Sequence, residues 1–182
     1  MLFRDLDTRR LRLKNIAEDD RDFLLSHFSD RAVHRFLFAR EPLSSLRDAE
    51  EIIRFYLQPE PRGQHRWILI RKEDGAKIGT CGFHCWHPAE ARCEMGYDLR
   101  QEARGKGYMA EALRGILLFA RDEMMVRQLD ACIYPENEGS VRLAEGLGFV
   151  FSGKTTTELS SGEAYEHRIY TLNPGSEDKP AL

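Results

Sequence analysis

The stretch that decides the fold begins Arg92-Cys93-Glu94-Met95-Gly96-Tyr97-Asp98-Leu99 and continues, four residues later, as Arg104-Gly105-Lys106-Gly107-Tyr108-Met109-Ala110-Glu111-Ala112-Leu113. In its first half Cys93, Met95, Tyr97 and Leu99 alternate with Glu94, Gly96 and Asp98, the period-two pattern of a strand. In its second half Ala110, Leu113, Leu117, Ala120 and Met124 recur at helical spacing, which predicts an amphipathic helix over 108–124. Between them lies a turn with two glycines and two cations. Gln128 to Ile133 then reads as another strand, so 92–133 is a strand–helix–strand crossover and this part of the sheet is expected to be parallel.

Working outward toward the N-terminus, Lys77 to Phe83 and the buried run Trp67-Ile68-Leu69-Ile70 form a hairpin around Glu73-Asp74-Gly75. Leu46, Ala49, Ile53 and Tyr56 mark one helical face after Ser44-Ser45. Glu18 to Phe28 opens with acids and reads as a helix, and Thr8 to Leu13 reads as a short first strand. Toward the C-terminus, Asn137 caps a helix over 138–147 that Gly148 closes. Phe149–Thr155 and Tyr165–Leu172 form a last antiparallel pair. The expectation is one α/β domain of the α+β type over 1–172, a mixed and mostly antiparallel sheet flanked by helices, with 173–182 as a flexible tail.

Composition narrows the function. Among 182 residues, 27 Lys and Arg stand against 30 Asp and Glu, a net charge of -3. Without a basic excess or stripe, a nucleic-acid partner is not expected. The opening Met1-Leu2-Phe3-Arg4-Asp5 has no apolar leader core, and no apolar run approaches the ~18 residues of a membrane span. A cytoplasmic protein without a membrane partner is expected, with Cys81, Cys85, Cys93 and Cys132 as reduced thiols. Cys81, His84, Cys85, His87 and Cys93 are zinc-ligand types, but their spacing fits no common structural pattern, so no metal is expected.

Two segments carry candidate chemistry. Arg104 to Ala110 places glycines and two cations at a helix N-terminus, where N–H groups lack intrahelical partners and the dipole is positive; this is an anion site, or else a plain Gly-rich turn. It matches neither a Walker loop nor a dinucleotide fingerprint. Asn137-Glu138-Gly139-Ser140, running on to Gly148-Phe149, is a helix cap that can equally line a ligand.

Together these segments resemble the GNAT superfamily of N-acetyltransferases. Arg104, Gly107 and Met109 match its Arg/Gln-x-x-Gly-x-Gly/Ala motif, with Met109 where Gly or Ala is usual, and Asn137, Ser140, Gly148 and Phe149 match its Asn-x-x-Ser…Gly-Phe segment. Glu94 to Leu99, Tyr108 to Leu113, Thr8 to Leu13 and Ile78-Gly79 look like the ribosomal-protein N-acetyltransferase branch. The resemblance spans about 7–172 and implies a sheet splayed into a V. It implies acetyl-CoA as cofactor, its pantetheine arm paired with the backbone of Asp98 and Leu99, whose amides would polarise the thioester carbonyl. The pyrophosphate would lie on the amides of Arg104, Gly105, Lys106, Gly107, Tyr108, Met109 and Ala110, and Asn137 and Ser140 would line the other side. Met109 must point its side chain away. Glu94 is implied as the base that takes the proton from the amine, against the alternative of an ordinary strand carboxylate. Relatives often carry a tyrosine acid where this chain has Ala144, which leaves Ser140 as the nearest hydroxyl in sequence to the leaving thiolate.

The implied reaction is direct acetyl transfer to a primary amine in a ternary complex. The acceptor would be a protein N-terminal α-amine, with a polyamine or antibiotic amine, or a non-catalytic CoA-binding sensor, as alternatives; the chain would act as monomer or homodimer. His84, Trp86 and His87, with Phe36, Tyr165 and His167, are the expected acceptor-site residues.

Overall fold

The computed structural model describes residues 2–37, 41–158 and 164–174. Eight strands form one sheet: β1 (Leu6–Asp7), β2 (Leu11–Asn15), β3 (His65–Arg71), β4 (Lys77–His87), β5 (Arg92–Leu99), β6 (Gln128–Ile133), β7 (Val150–Glu158) and β8 (Ala164–Leu172). Among the described residues five α-helices accompany them: α1 (Arg21–Phe28), α2 (Arg31–His34), α3 (Leu46–Tyr56), α4 (Tyr108–Asp122) and α5 (Glu138–Gly146). The strand order is β1-β2-β3-β4-β5-β6-β8-β7. Every pairing is antiparallel except β5 with β6, the two strands joined through α4. The expected crossover and mixed sheet are therefore present.

Strand alternation sends side chains to two separate cores. Leu11, Leu13, Trp67, Leu69, Phe83, Cys93 and Met95 pack against Leu113, Ile116, Leu117 and Ala120 of α4. On the opposite face Ile16 and Ile68 meet Leu24 and Phe28 of α1, Val33 of α2, and Ala49, Ile53 and Tyr56 of α3. Each such aliphatic or aromatic side chain contributes roughly 1.5–3 kcal/mol on burial. Helix α3 starts at a capping box in which Ser45 and Asp48 satisfy each other's backbone N–H groups.

Several local expectations need correction. Thr8 to Leu13 is not one strand: Thr8, Arg9 and Arg10 leave the ladder as a bend between β1 and β2. Its polar groups converge on α4, where the Glu111 carboxylate accepts hydrogen bonds from Thr8 Oγ1, Arg10 N and Arg10 Nε, each at 2.6 Å. Acid-rich 18–20 forms a 3-10 turn, and the α-helix proper begins at Arg21. The short α2, capped by Asp30, was not anticipated. Cys85, which strict alternation along β4 would bury with Cys81 and Phe83, is exposed, because its φ of 47° breaks that alternation. Of the expected tail, 175–182 lies outside the described residues.

Candidate active site

Strands β5 and β6 pair only at Arg92–Gln128, Cys93–Leu129 and Glu94–Asp130. Beyond Glu94 they part, although β5 continues to Leu99 and β6 to Ile133. The opening is a V whose vertex is Glu94. A cavity of about 390 Å³ fills it, walled by Met95, Gly96 and Tyr97 on one side and by Ala131, Cys132, Ile133 and Tyr134 on the other. Phe28, Leu43, Ile52, Phe55 and Tyr56 roof it from the helical layer, and Asn137 and Ser140 close it at α5.

The two faces of β5 supply different chemistry. Arg100 N–H donates to Ile78 O at 2.9 Å. The β4–β5 register is unbroken from Leu99 to Glu94, so the backbone groups of Asp98 and Gly96 also face β4. Those of Tyr97 and Leu99 face the opening. Of the expected backbone pair, Leu99 faces the opening and Asp98 faces β4, and Tyr97 is the other residue of this stretch whose backbone faces the opening.

Asp98 has another task. Its buried carboxylate accepts from His27 Nε2 (2.5 Å), an Arg66 guanidinium N–H (2.9 Å), Thr80 Oγ1 (2.8 Å) and Thr80 N (3.1 Å). Burial alone would raise its pKa, but His27, Arg66 and Thr80 outweigh it and hold the group below the ordinary carboxylate value.

Glu94 is half-buried, and no hydrogen-bond donor among the described residues reaches its carboxylate. Its pKa is raised, first by burial and then by Asp130, with Arg92 opposing. Arg92 itself is held by Asp130 at 2.6 Å. An elevated, unpaired carboxylate at the vertex of a cleft is suited to receiving a proton. Arg92, the nearest arginine in sequence, is therefore engaged by Asp130 and not by Glu94.

The Asn137 side chain accepts from Ser140 N at 3.2 Å, as a helix cap should. Ser140 Oγ lies 2.7 Å from Tyr97 Oη. Tyr97 went unrecognised as a polar residue because its partner is 43 positions away; the one available signal was its place in the alternation of β5. Burial raises the Tyr97 pKa, against the hydrogen bond to Ser140.

At the far end of the V, Gly105 (φ 71°) and Gly107 (φ 76°) adopt the left-handed backbone that glycine tolerates. Gly107 is the N-cap of α4. Among the described residues no acceptor meets the N–H groups of 105–110, so they form a ready cradle for an anion. Arg104 is the exception in the expected set, because its N–H is bonded to Gln101 O. Its guanidinium donates to Leu99 O (3.1 Å) and Ala32 O (2.8 Å). Lys106 is exposed beside the cradle, and Arg10 fixes the loop by donating to Lys106 O at 3.0 Å. Tyr108 and Met109 are both buried in the core under α4, so each offers only its backbone to the cradle.

The expected acceptor residues divide. His84 lines the cavity and lies across Gly96, where a Cβ would come within 2.9 Å of His84 Nε2. Phe36 also lines it and leans on Tyr134, ring centroids 6.2 Å apart. Tyr165 and His167 reach the site indirectly, through edge contacts with that same Tyr134 at 5.8 and 4.4 Å. Trp86 packs instead against Phe3, and His87 is exposed at the end of β4; neither lines the cavity. Among the described residues no three His, Cys, Asp or Glu side chains are grouped to hold a metal ion, and no helix is long and apolar enough to cross a membrane.

Comparison with known proteins agrees with this architecture. Residues 10–150 match the model of the acetyltransferase (GNAT) domain family. The chain is 31% identical to the uncharacterized N-acetyltransferase p20 of Bacillus licheniformis over 149 residues, 81% of this chain and 83% of that one. A Vibrio cholerae structure provisionally described as a ribosomal-protein-serine acetyltransferase superposes with a TM-score of 0.79 at 21% identity, covering 93% of this chain and 97% of that one. A spermidine N-acetyltransferase from Vibrio cholerae, solved with CoA and spermine, superposes with a TM-score of 0.78 at 19% identity, covering 91% and 96%.

Proposed function

We propose, from the premise that this chain belongs to the GNAT acetyltransferase family and is an acetyl-CoA dependent N-acetyltransferase, that its acceptor is the α-amine of a protein N-terminus. The fold does not choose the acceptor, since neighbours named for a protein and for a polyamine superpose equally well. The observation that carries the reading is the cavity itself. At the vertex one half-buried carboxylate, Glu94, stands under a roof of Phe28, Leu43, Ile52 and Phe55, while Glu41, which also lines the cavity, is exposed to solvent. A polyamine would set further ammonium groups against these apolar side chains and the Arg66 guanidinium, whereas one amine carried on an apolar residue is matched. Asp98 cannot serve as a second anionic anchor, being saturated by its own donors.

Acetyl-CoA supplies the thioester carbonyl on which the reaction turns. In the cleft, the free N–H groups of 105–110 and the charge of Lys106 suit its pyrophosphate, and the opening-facing backbone of Tyr97 and Leu99 suits its extended arm. The Leu99 N–H is a donor able to polarise a carbonyl oxygen there. An ammonium has no lone pair, so a proton must leave before attack. Glu94 accepts it, directly or through water, and its raised pKa brings it closer to that of an α-amine. The Ser140–Tyr97 hydroxyl pair, both members of which line the cleft, can pass a proton to the departing thiolate. The domain performing this is 1–172, with 173–182 outside it.

The test is release of free CoA thiol with a panel of N-terminal peptides beside spermidine and simple amines. Turnover of peptides above polyamines supports the reading; preference for spermidine removes it.

A further inference from the structure

Resting on the α-amine reading, we propose that Tyr56 is a specificity-determining residue: its hydroxyl donates a hydrogen bond to the carbonyl next to the acceptor's amine. The argument follows a buried chain of donors. The Asp98 carboxylate can only accept, and it anchors Arg66 at 2.9 Å. A second guanidinium nitrogen of Arg66 lies 3.0 Å from His84 Nε2. Guanidinium nitrogens can only donate, so His84 Nε2 must be the acceptor. Burial first, and Arg66 second, push the His84 pKa down to about 3, leaving a neutral ring whose single proton is on Nδ1.

That Nδ1–H faces Tyr56 Oη at 3.5 Å, a long contact that orients the hydroxyl more than it binds it. The Arg66 guanidinium carbon also lies 5.2 Å from the Tyr56 ring centroid, so a cation stands beside the ring as well as the Nδ1–H donor beside its hydroxyl. The Tyr56 O–H proton, in contrast, finds no acceptor among the described residues. Tyr56 is only 6% exposed, yet it lines the cavity. A buried donor left unmatched is costly, so a ligand that brings an acceptor atom is favoured over one that does not.

Position makes that acceptor a carbonyl close to the amine. His84 is the direct cross-strand partner of Glu94, and both side chains face the cavity. Partners on one face have Cβ atoms roughly 4.5–5.5 Å apart. The group oriented by His84 therefore stands beside the carboxylate that receives the amine. An α-amino acyl group carries an acceptor oxygen at that separation; a protonated polyamine carries only donors.

The experiment compares leucinamide with 3-methylbutylamine, the same amine without its carbonyl group, in the wild type and in Tyr56→Phe. The expected result is a KM for leucinamide raised about tenfold, the scale of one hydrogen bond, with kcat within about threefold. Kinetics with 3-methylbutylamine should stay within about twofold, and the melting temperature should confirm that the variant is folded. Equal losses on both amines, or no loss on leucinamide, would overturn the role of Tyr56 alone. No turnover of leucinamide by the wild type, or faster turnover of 3-methylbutylamine, overturns the α-amine reading as well.

Discussion

Replacing Asp98 by Asn removes the one anion that neutralises Arg66 inside the protein. Both groups are nearly inaccessible, at 8% exposure each. The carboxylate serves donors from β3 (Arg66), β4 (Thr80) and α1 (His27), so it ties the sheet to the helical layer. An Asn oxygen can keep part of this hydrogen bonding, but it cannot compensate the guanidinium charge. Deleting one partner of a buried ion pair costs about 3–5 kcal/mol, a large share of the roughly 5–15 kcal/mol that holds a domain together. Urea unfolding at pH 7, followed by the fluorescence of the buried Trp67, measures it. Adding Arg66→Met to Asp98→Asn should recover much of the loss, because no uncompensated charge then remains. The sign with pH follows from the depressed Asp98 pKa. The wild-type advantage is full above the ordinary carboxylate value of about 3.9 and shrinks as pH falls through the lower folded value. A cost below about 1 kcal/mol at pH 7, or no recovery in the double variant, would refute the reasoning.

Gly107→Val should weaken CoA binding at least about tenfold by isothermal titration, since φ 76° costs a β-branched residue about 1–2 kcal/mol and disturbs the cradle, although a Cβ there meets only the Arg10 guanidinium, at 3.4 Å. Glu94→Gln should keep CoA affinity while lowering turnover by ~10–10³-fold. In the wild type the acid limb of the pH–rate profile should lie above the ordinary Glu value, because burial raises Glu94, and in the variant that limb should vanish. Ser140→Ala should lower kcat by less than about tenfold while Tyr97 retains its hydroxyl. Ser140→Ala with Tyr97→Phe should lower it by about 10²-fold or more; additive, minor effects in that double variant would exclude the pair as proton donor.

What the sequence made legible was local. The alternation of 92–99, the helical stripe of 108–124 and the glycines at 105 and 107 each depend on neighbours a few residues away, and each appears where expected. Polar partnerships were not legible, because tertiary packing decides them. His27 meets Asp98 across 71 positions, Arg66 meets it across 32, and Tyr97 meets Ser140 across 43. The same cause explains the two acceptor candidates that miss the cavity. Trp86 lies on the same strand as His84, but the bulge between His84 and His87 breaks the alternation there, and Phe3 offers its ring an apolar neighbour. Tyr134, around which Phe36, Tyr165 and His167 gather, gave no signal, since it belongs to no motif.

The parting of β5 from β6 makes one strand behave as two kinds of backbone. Its even-numbered amides from Glu94 to Asp98 face β4, while those of Tyr97 and Leu99 face a gap in the middle of the sheet. Deuterium should therefore enter alternate positions of a single strand at very different rates. Whatever lies along the gap closes the missing rungs and slows only the fast set. Such a ligand adds to the cohesion of the whole sheet by RT ln(1 + [L]/Kd). The protein carries an unfinished seam through its centre, and a ligand that fills it should tighten the sheet on both sides.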